Sequence, residues 1–316
     1  MGFAITAADV KAAALRIRPL ARRTPVMNDA AFDARAGVRT WFKCENLQLG
    51  GSFKIRGASN LILSLPAQAL EYGVVAYSSG NHAQATAIAA RHVGTAATIV
   101  MPADAPKLKI EATRNHGARI VTYDRATEQR EEIAARILQD SGAALVPPFD
   151  HPMIMAGQGT AALELLEDAP PLDALMTPVG GGGLLSGCSV LAKDAQPAIR
   201  LFGAEPEGAN DTYLSKRAGR HVTVQPHTIA DGLRSPTPGQ LTLPVVQSLV
   251  EDILLVSDDE LRTTVKYLLE RFKILVEPSG AAAAAAVLFG KLPTGIASVG
   301  VVLSGGNVDF DQLVTY

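Results

Sequence analysis

The chain has 316 residues, of which 47% are hydrophobic and 19% charged, the balance of an ordinary folded protein of one or two domains. A formal net charge of −2 excludes the basic surface that nucleic acids or anionic membranes require. Two cysteines are too few for a disulfide framework or a zinc site, so we expect a reducing, cytoplasmic location.

The first 20 residues mix acidic and basic side chains into a helical pattern and lack the uninterrupted apolar core of a secretory signal. Further along, the alanine-rich run 280–290 is shorter than the roughly 18 residues that a membrane span needs. This run predicts a buried helix whose small side chains let neighbouring backbones approach closely. No membrane partner is therefore expected.

Short apolar runs alternate with helical patterns along the centre of the chain. Continuous apolar runs predict parallel strands that are covered on both faces. They lie at 73–79, 96–102 and 118–124, and the helical patterns that follow them lie at 81–94, 105–117 and 127–142. The glycines that end these helices are Gly94, Gly117 and Gly142. This order predicts a doubly wound βαβαβα unit.

A second set of strands is predicted at 174–183, 198–206, 252–258 and 298–306, with helices between them. We expect the first strand and helix of the chain to join this set. The sequence therefore predicts an α/β fold of two domains, each with an open twisted sheet flanked by helices. The large domain comprises 1–68 and 151–316, the small domain comprises 71–148, and the proline-containing segment 219–243 is an irregular connection.

Three glycine- or serine-rich turns, "YSSGNHAQ", "PVGGGGLLSG" and "VLSGGNVD", follow predicted strands. In open α/β sheets, ligands bind beyond the carboxyl ends of the strands. Gly180 to Gly183 expose backbone amides just before a helix, which suits a phosphate. Their spacing fits neither the dinucleotide nor the nucleoside-triphosphate fingerprint. Four consecutive glycines cost much chain entropy, which favours a ligand over a merely flexible turn.

The turn from Ser78 to His82 also stands between a strand and a helix. Its amides suit a carboxylate, but Ser and Asn are equally common as ordinary helix caps, and both interpretations remain open. A single histidine in such a place indicates a scaffolding hydrogen bond more than a general base.

Lys54 lies in "SFKIRG", between Phe53 and, two places on, Arg56. A nucleophilic lysine requires a pKa lowered by burial or by nearby positive groups. On this segment alone, a solvated lysine is the simpler interpretation. An attacking amine, a phosphate cup, a carboxylate-binding turn and a serine after a late strand are, however, the parts that pyridoxal 5′-phosphate (PLP) requires.

Five motifs then occur in a familiar order: "ENLQLGGSFKIRGA", "SSGNHAQ", "PVGGGGLLSG", "EPSGA" and "LSGGN". Over nearly its whole length the chain resembles the fold type II PLP enzymes, which have a tryptophan synthase β-like two-domain fold. Within them it resembles the group of serine/threonine dehydratases, serine racemases and 3-hydroxyaspartate dehydratases. The resemblance implies a homodimer that eliminates water from L-serine, L-threonine or 3-hydroxyaspartate, giving a 2-keto acid and ammonia, with serine racemisation as an accompanying activity.

The resemblance also implies roles for single residues. Lys54 would be the Schiff-base lysine, and Ser79 a second acid/base group on the opposite ring face. The other PLP contacts would be Phe53, Asn81 at the ring hydroxyl, Gly180, Gly181, Gly182, Gly183 and Leu184 at the phosphate, Glu277, and Ser304 at the pyridine nitrogen. The substrate contacts would be Ser78, Ser79, Gly80, Asn81 and His82. Arg130 is a candidate for a second substrate carboxylate, although the residues alone favour a solvated arginine paired with Glu131.

The segment "GAEPEGANDTY" resembles the divalent-metal segment of serine racemases, with Glu205, the carbonyl of Ala209 and Asp211 as ligands. Oxygen ligands completed by water suit Mg²⁺, Mn²⁺ or Ca²⁺. Without the resemblance, a solvated acidic turn is the simpler interpretation.

Two departures leave the substrate open: Gly50 stands where dehydratases carry threonine, and Ala83 where mammalian-type racemases carry glycine. The alternatives are an enzyme that is primarily an amino-acid racemase, a β-replacing synthase, and a non-catalytic PLP- or nucleotide-binding protein. The synthases carry "SxKDR" around the lysine, whereas this chain carries "SFKIRG".

Overall fold

The computed structural model describes residues 2–105, 107–314 and 316. The strands are β1 (Val26–Met27), β2 (Arg39–Cys44), β3 (Val74–Tyr77), β4 (Ala97–Pro102), β5 (Arg119–Tyr123), β6 (Ala144–Leu145), β7 (Ala174–Pro178), β8 (Arg200–Pro206), β9 (Asp252–Val256) and β10 (Ser298–Leu303). The helices are α1 (Ala7–Ile17), α2 (Ala30–Ala36), α3 (Lys54–Ile62), α4 (Ala67–Glu71), α5 (Asn81–His92), α6 (Lys107–Asn115), α7 (Arg130–Ser141), α8 (Pro152–Asp168), α9 (Gly183–Ala195), α10 (Asp211–Ala218), α11 (Thr242–Leu249), α12 (Asp258–Tyr267), α13 (Pro278–Leu288) and α14 (Phe310–Leu313).

The strands form two sheets. The larger has six strands in the order β1-β2-β10-β7-β8-β9, and all its pairs are parallel except β1 with β2. The smaller has four parallel strands in the order β5-β4-β3-β6. Every residue of β7 and β10 is buried, as expected for parallel strands covered by helices on both faces. The predicted α/β fold is confirmed.

The predicted central unit is present as β3, α5, β4, α6, β5 and α7. Each of the three glycines after these helices has a left-handed φ, of 72° at Gly94, 89° at Gly117 and 73° at Gly142, a conformation that glycine adopts without strain. The helix expected over 105–117 is observed as α6, and residue 106 lies outside the described residues. α7 begins at Arg130 rather than 127, because residues 124–128 first form a turn.

The alanine-rich run is a buried helix, as predicted. Every residue of α13 is buried, and the helix packs against β7, β8, β9 and β10. The segment 219–243 is irregular up to a short 3₁₀ turn at Asp231–Leu233, and α11 begins only at Thr242. Among the described residues, no helix combines the length and the apolar composition needed to cross a bilayer.

All strands of the smaller sheet lie within 71–148, and all strands of the larger sheet lie outside it. This arrangement supports the two predicted domains, whose bounds remain a proposal. Turns that follow strands of both sheets, and that the sequence predicts to bind ligands, line the same cleft.

Candidate active site

A cleft of about 1410 Å³ is lined by segments that follow strands of both sheets. Residues 77–82 come from the end of β3, residues 178–184 from the end of β7, and Ser304 follows β10. All residues predicted to contact cofactor or substrate line this cleft. The cleft therefore brings together motifs that lie up to 250 residues apart in the chain.

Lys54 is the first residue of α3 and is half-buried in the cleft wall. Its Nζ donates a hydrogen bond to the carbonyl of Pro148 at 2.8 Å and lies 5.1 Å from the centroid of the Phe53 ring. Burial lowers the pKa of Lys54 from 10.5 to about 8. Roughly a tenth of such amines are neutral at pH 7, far more than of an exposed lysine.

Arg56 does not supply the positive charge next to Lys54 that the sequence suggested. It is fully buried, and its guanidinium bonds the carboxylate of Glu45 at 2.7 and 2.8 Å and that of Glu164 at 2.8 and 2.7 Å. Lys43, also fully buried, pairs with Glu164 at 2.5 Å and donates to the carbonyl of Thr24 at 2.6 Å. These ion pairs tie the first turn of α3 to β2 and α8, and so hold Lys54 in place.

The glycine cup lies at the start of α9, where Gly182 has a φ of 91°. A Cβ at Gly181 would overlap the ring of Phe149, and one at Gly182 would lie 2.8 Å from Oγ1 of Thr242. Packing within the protein therefore requires glycine at these two positions, whether or not a ligand also does. Because Gly182 has no side chain, the amides of the first turn of α9, beginning at Gly183, are left for an anion.

Asn81 and Glu277 meet across the cleft. Nδ2 of Asn81 donates to Oε1 of Glu277 at 2.7 Å, and Oδ1 of Asn81 accepts from Nδ2 of Asn307 at 2.9 Å. Burial, followed by the negative charge of Asp231, raises the pKa of Glu277 to about 8. The carboxyl group is thus largely protonated at neutral pH, and Asn81 keeps a second N–H for a ligand.

His82 is buried, and its Nε2 lies 2.8 Å from the carbonyl of Val146. Because a carbonyl can only accept, Nε2 carries the proton. Nδ1 has no hydrogen-bond partner among the described residues. Burial and the charge of Lys54 lower the pKa of His82 to about 3, so the ring stays neutral. His82 therefore has the scaffolding contact that the sequence indicated.

The serines of the site are tied to backbone groups nearby. The amide of Gly80 donates to Oγ of Ser78 at 3.3 Å, which orders the turn that also contains Ser79. Ser304 is buried at the end of β10, and its carbonyl accepts from the amide of Phe53 at 3.1 Å. This bond connects the start of the lysine-bearing helix to the central strand of the larger sheet.

Arg130 is the first residue of α7 and lines the cleft, with its side chain 40% exposed. Its Nε donates to Glu131 at 2.8 Å, as the simpler interpretation of the sequence expected. Its guanidinium carbon also lies over the ring of Tyr77, 5.3 Å from the centroid. Arg130 therefore pairs with Glu131 and at the same time lies on the wall of the cleft, so both features expected from the sequence are present.

Glu205 in β8 and Asp211 at the start of α10 are both fully buried, so the interpretation as a solvated acidic turn is wrong. Glu205 accepts from the amides of Thr212 and Tyr213 at 3.1 and 2.9 Å. Neither carboxylate oxygen of Asp211 has a partner among the described residues. Burial raises the pKa of Asp211 to about 8, and burial together with Asp211 raises that of Glu205.

Sequence reasoning missed the segment Val146–Asp150, which connects several parts of the site. Val146 and Pro148 bind His82 and Lys54 through their carbonyls, and the ring of Phe149 covers Gly181. The carboxylate of Asp150 accepts from the amides of residues 240 and 241 at 2.9 and 2.8 Å. The paired prolines after β6 were the available signal, because they predict a fixed, non-helical connection.

Comparison with known proteins gives consistent results. Residues 17–305 match the family described as "Pyridoxal-phosphate dependent enzyme". The chain is 45% identical to L-threo-3-hydroxyaspartate ammonia-lyase of Saccharomyces cerevisiae, over 98% of this chain and 95% of the yeast protein. It is 43% identical to serine racemase of Oryza sativa subsp. indica, over 99% of this chain and 94% of the rice protein. The solved structure of maize serine racemase superposes with a TM-score of 0.96 at 42% identity, covering 99% of this chain and 97% of the maize chain.

Proposed function

The chain belongs to the family of pyridoxal-phosphate-dependent enzymes, and we propose that it eliminates water from a β-hydroxy amino acid, releasing a 2-keto acid and ammonia. The candidate substrates are L-serine, L-threonine and L-threo-3-hydroxyaspartate. The observation that carries the proposal is a half-buried lysine with a lowered pKa in the same cleft as a glycine-lined helix start. The similarity to an ammonia-lyase over almost the full chain supports it.

The residues of the cleft fit PLP. The amides at the start of α9, from Gly183, would hold the phosphate, Asn81 would donate to the ring hydroxyl, and Ser304 would face the ring nitrogen. Lys54 would form the covalent link. When bound, PLP supplies an electron sink for the negative charge that forms at the α-carbon of the substrate.

Lys54 would act as the base that removes the α-proton of the L-amino acid. Its desolvated amine, with a pKa of about 8, is poised to accept a proton near neutral pH. The carbonyl of Pro148, 2.8 Å from Nζ, orients the amine. The hydroxyl of Ser304 is uncharged and would stabilise accumulating negative charge less than a charged partner would. This favours prompt loss of the β-hydroxyl group, which would leave as water with the proton that Lys54 had accepted.

The turn from Ser78 to His82 would bind the α-carboxylate of the substrate, since its amides lie at the start of α5 and line the cleft. Arg130 would bind the second carboxylate of 3-hydroxyaspartate through its Nη groups. The alternative role of Arg130, a surface arginine paired with Glu131 alone, predicts no preference for a dicarboxylic substrate.

Racemisation of serine is the second candidate activity, because the chain is similar to serine racemases and carries Ser79 in the cleft wall. Ser79 would exchange a proton on the face opposite Lys54. Replacement of Ser79 by alanine should abolish formation or use of D-serine and leave elimination from L-substrates. Retention of D-serine chemistry in S79A would remove this role.

We further propose that Glu205, Asp211 and the carbonyl of Ala209, completed by water, bind Mg²⁺, Mn²⁺ or Ca²⁺. The unpartnered, buried oxygens of Asp211 support this, since a divalent cation would give them the partner that they lack and would compensate the charge of both carboxylates once their protons are displaced. A homodimer and a cytoplasmic location are also proposals, which rest on the resemblance and on the composition.

The deciding experiment measures ammonia and keto acid released from the three candidate substrates, with and without EDTA. Wild type should release both products, and K54A should not. K11A is the matched control, because Lys11 is exposed and paired with Asp194 on the surface. If a colourless protein results from reconstitution with PLP, or if K54A retains activity, the proposal is wrong. Turnover of O-acetylserine with a thiol, in place of ammonia release, would favour a β-replacing synthase.

A further inference from the structure

Tyr77 has a place in the cleft that none of the roles above uses. It is the last residue of β3, directly before Ser78, and its half-buried ring lines the cleft. The ring packs against a cluster that includes Ile133 and Ala134 of α7. The packing of α7 against β3 therefore holds this ring in the region where α7 begins with Arg130.

Two contacts restrain the guanidinium of Arg130. The ring of Tyr77 lies 5.3 Å below its central carbon, and Glu131 binds Nε at 2.8 Å. Within the described part of the chain, the Nη1 and Nη2 groups have no hydrogen bond to other residues. A guanidinium held by its face and its Nε presents the remaining two nitrogens, which is the geometry that binds a carboxylate bidentately.

The other cations of the cleft are restrained differently. Lys109 pairs with Asp231 at 2.5 Å, and Arg262 pairs with Asp259 at 2.8 Å through Nη1. Arg234 directs Nε and Nη2 to the carbonyl of Thr228. Arg125 pairs through Nε with Asp104, but its side chain is 55% exposed and has no aromatic ring beneath it among the described contacts.

We propose that Tyr77 is a specificity-determining residue, whose ring positions Arg130 to receive the second carboxylate of a dicarboxylic β-hydroxy amino acid. The inference rests on the proposed role of Arg130. A preorganised guanidinium loses little conformational entropy when a carboxylate binds, so the stacking is expressed as selectivity for dicarboxylic over monocarboxylic substrates.

The test uses the holoenzyme and the variants Y77F, Y77L and R130A. Y267L is the matched control: Arg35 lies 5.4 Å over the ring of Tyr267, which is not among the described residues lining the cleft. Equilibrium binding of L-aspartate and L-alanine is measured by calorimetry, because neither ligand has a hydroxyl group to eliminate. The ratio of kcat/KM for 3-hydroxyaspartate to that for L-serine is measured in parallel.

Two ratios are compared: the affinity for L-aspartate over that for L-alanine, and kcat/KM for 3-hydroxyaspartate over that for L-serine. Y77L should lower both ratios on the order of five-fold, which is the strength of one cation–π contact. The kinetic loss should appear in KM rather than in kcat. Y77F and Y267L should keep both ratios at the wild-type value. R130A should lose the preference for dicarboxylic ligands entirely. The inference is overturned if Y77L keeps the ratios, or if it weakens L-aspartate and L-alanine equally, as a packing defect would. Absence of ammonia release by wild type would overturn the proposed elimination instead, and the binding ratios would still decide the role of Tyr77.

Discussion

The strongest stability prediction concerns the buried ion pairs beneath Lys54. In R56M, the carboxylates of Glu45 and Glu164 lose the guanidinium that lies between them, and Lys43 is the remaining cation of the described cluster. The matched variant is R23M, because Arg23 also binds two carboxylates, at 2.8 and 2.5 Å, but with its side chain 50% exposed. The two variants remove the same group and differ in burial.

The expected losses differ because a buried charge without its partner cannot be solvated. Removal of one partner from a buried ion pair costs about 3–5 kcal/mol, whereas an exposed pair is worth about 0–1 kcal/mol. R56M should therefore lower the melting temperature by about 5–10 °C, and R23M by at most about 2 °C. Since α3 begins at Lys54, R56M should also weaken PLP binding, and R23M should not.

Thermal and urea denaturation measure the two losses, and the pH dependence tests their cause. Although burial opposes ionisation of Glu45, the charge and hydrogen bonds of Arg56 hold its pKa below the usual 4.5. A lowered pKa stabilises the folded state above about pH 4.5, and this contribution disappears as the pH falls. The difference between wild type and R56M should therefore be complete at pH 7 and shrink only as the pH falls below about 4.5. Equal losses in R56M and R23M would refute the reasoning.

Three further predictions concern the site. Asp211 has a pKa of about 8, so a cation must displace its proton in order to bind. The affinity for Mg²⁺, measured by calorimetry, should therefore rise on the order of fifty-fold from pH 6 to pH 8 and vanish in D211N. A pH-independent affinity would contradict the assignment of this metal site. The pKa of Glu277 is raised to about 8, so its protonated carboxyl group stabilises the PLP-free fold at low pH. This stabilisation is lost as the pH rises from 4.5 through 8, and the free energy of unfolding of E277Q should therefore depend less on pH than that of wild type. G181A should lose about 1–3 kcal/mol and bind PLP more weakly by fluorescence titration, because its Cβ would overlap the ring of Phe149; wild-type affinity in G181A would show that the cup tolerates the shift.

Local patterns in the sequence determined the elements of the fold and the members of the site. Continuous apolar runs are visible without tertiary information, so β3, β4, β5 and the glycines that end the helices between them were predicted correctly. The ordered motifs likewise identified residues that line the cleft, among them Lys54, Asn81 and Ser304, although they did not identify the segment Val146–Asp150. These features are local because hydrophobic periodicity and the backbone freedom of glycine act within a few residues.

Contacts between distant segments were decided only by the tertiary structure. Arg56 forms ion pairs with Glu45 and with Glu164, which lies 108 residues away in the chain. The sequence cannot show which of its many carboxylates is buried beside Arg56. In the same way, Tyr77 comes to lie beneath Arg130 because β3 and α7 pack together, 53 residues apart in the chain. Burial and pairing follow from how elements stack in space. Burial lowers the pKa of Lys54, and the ion pairs of Arg56 with Glu45 and Glu164 depend on the packing of α3 against distant segments.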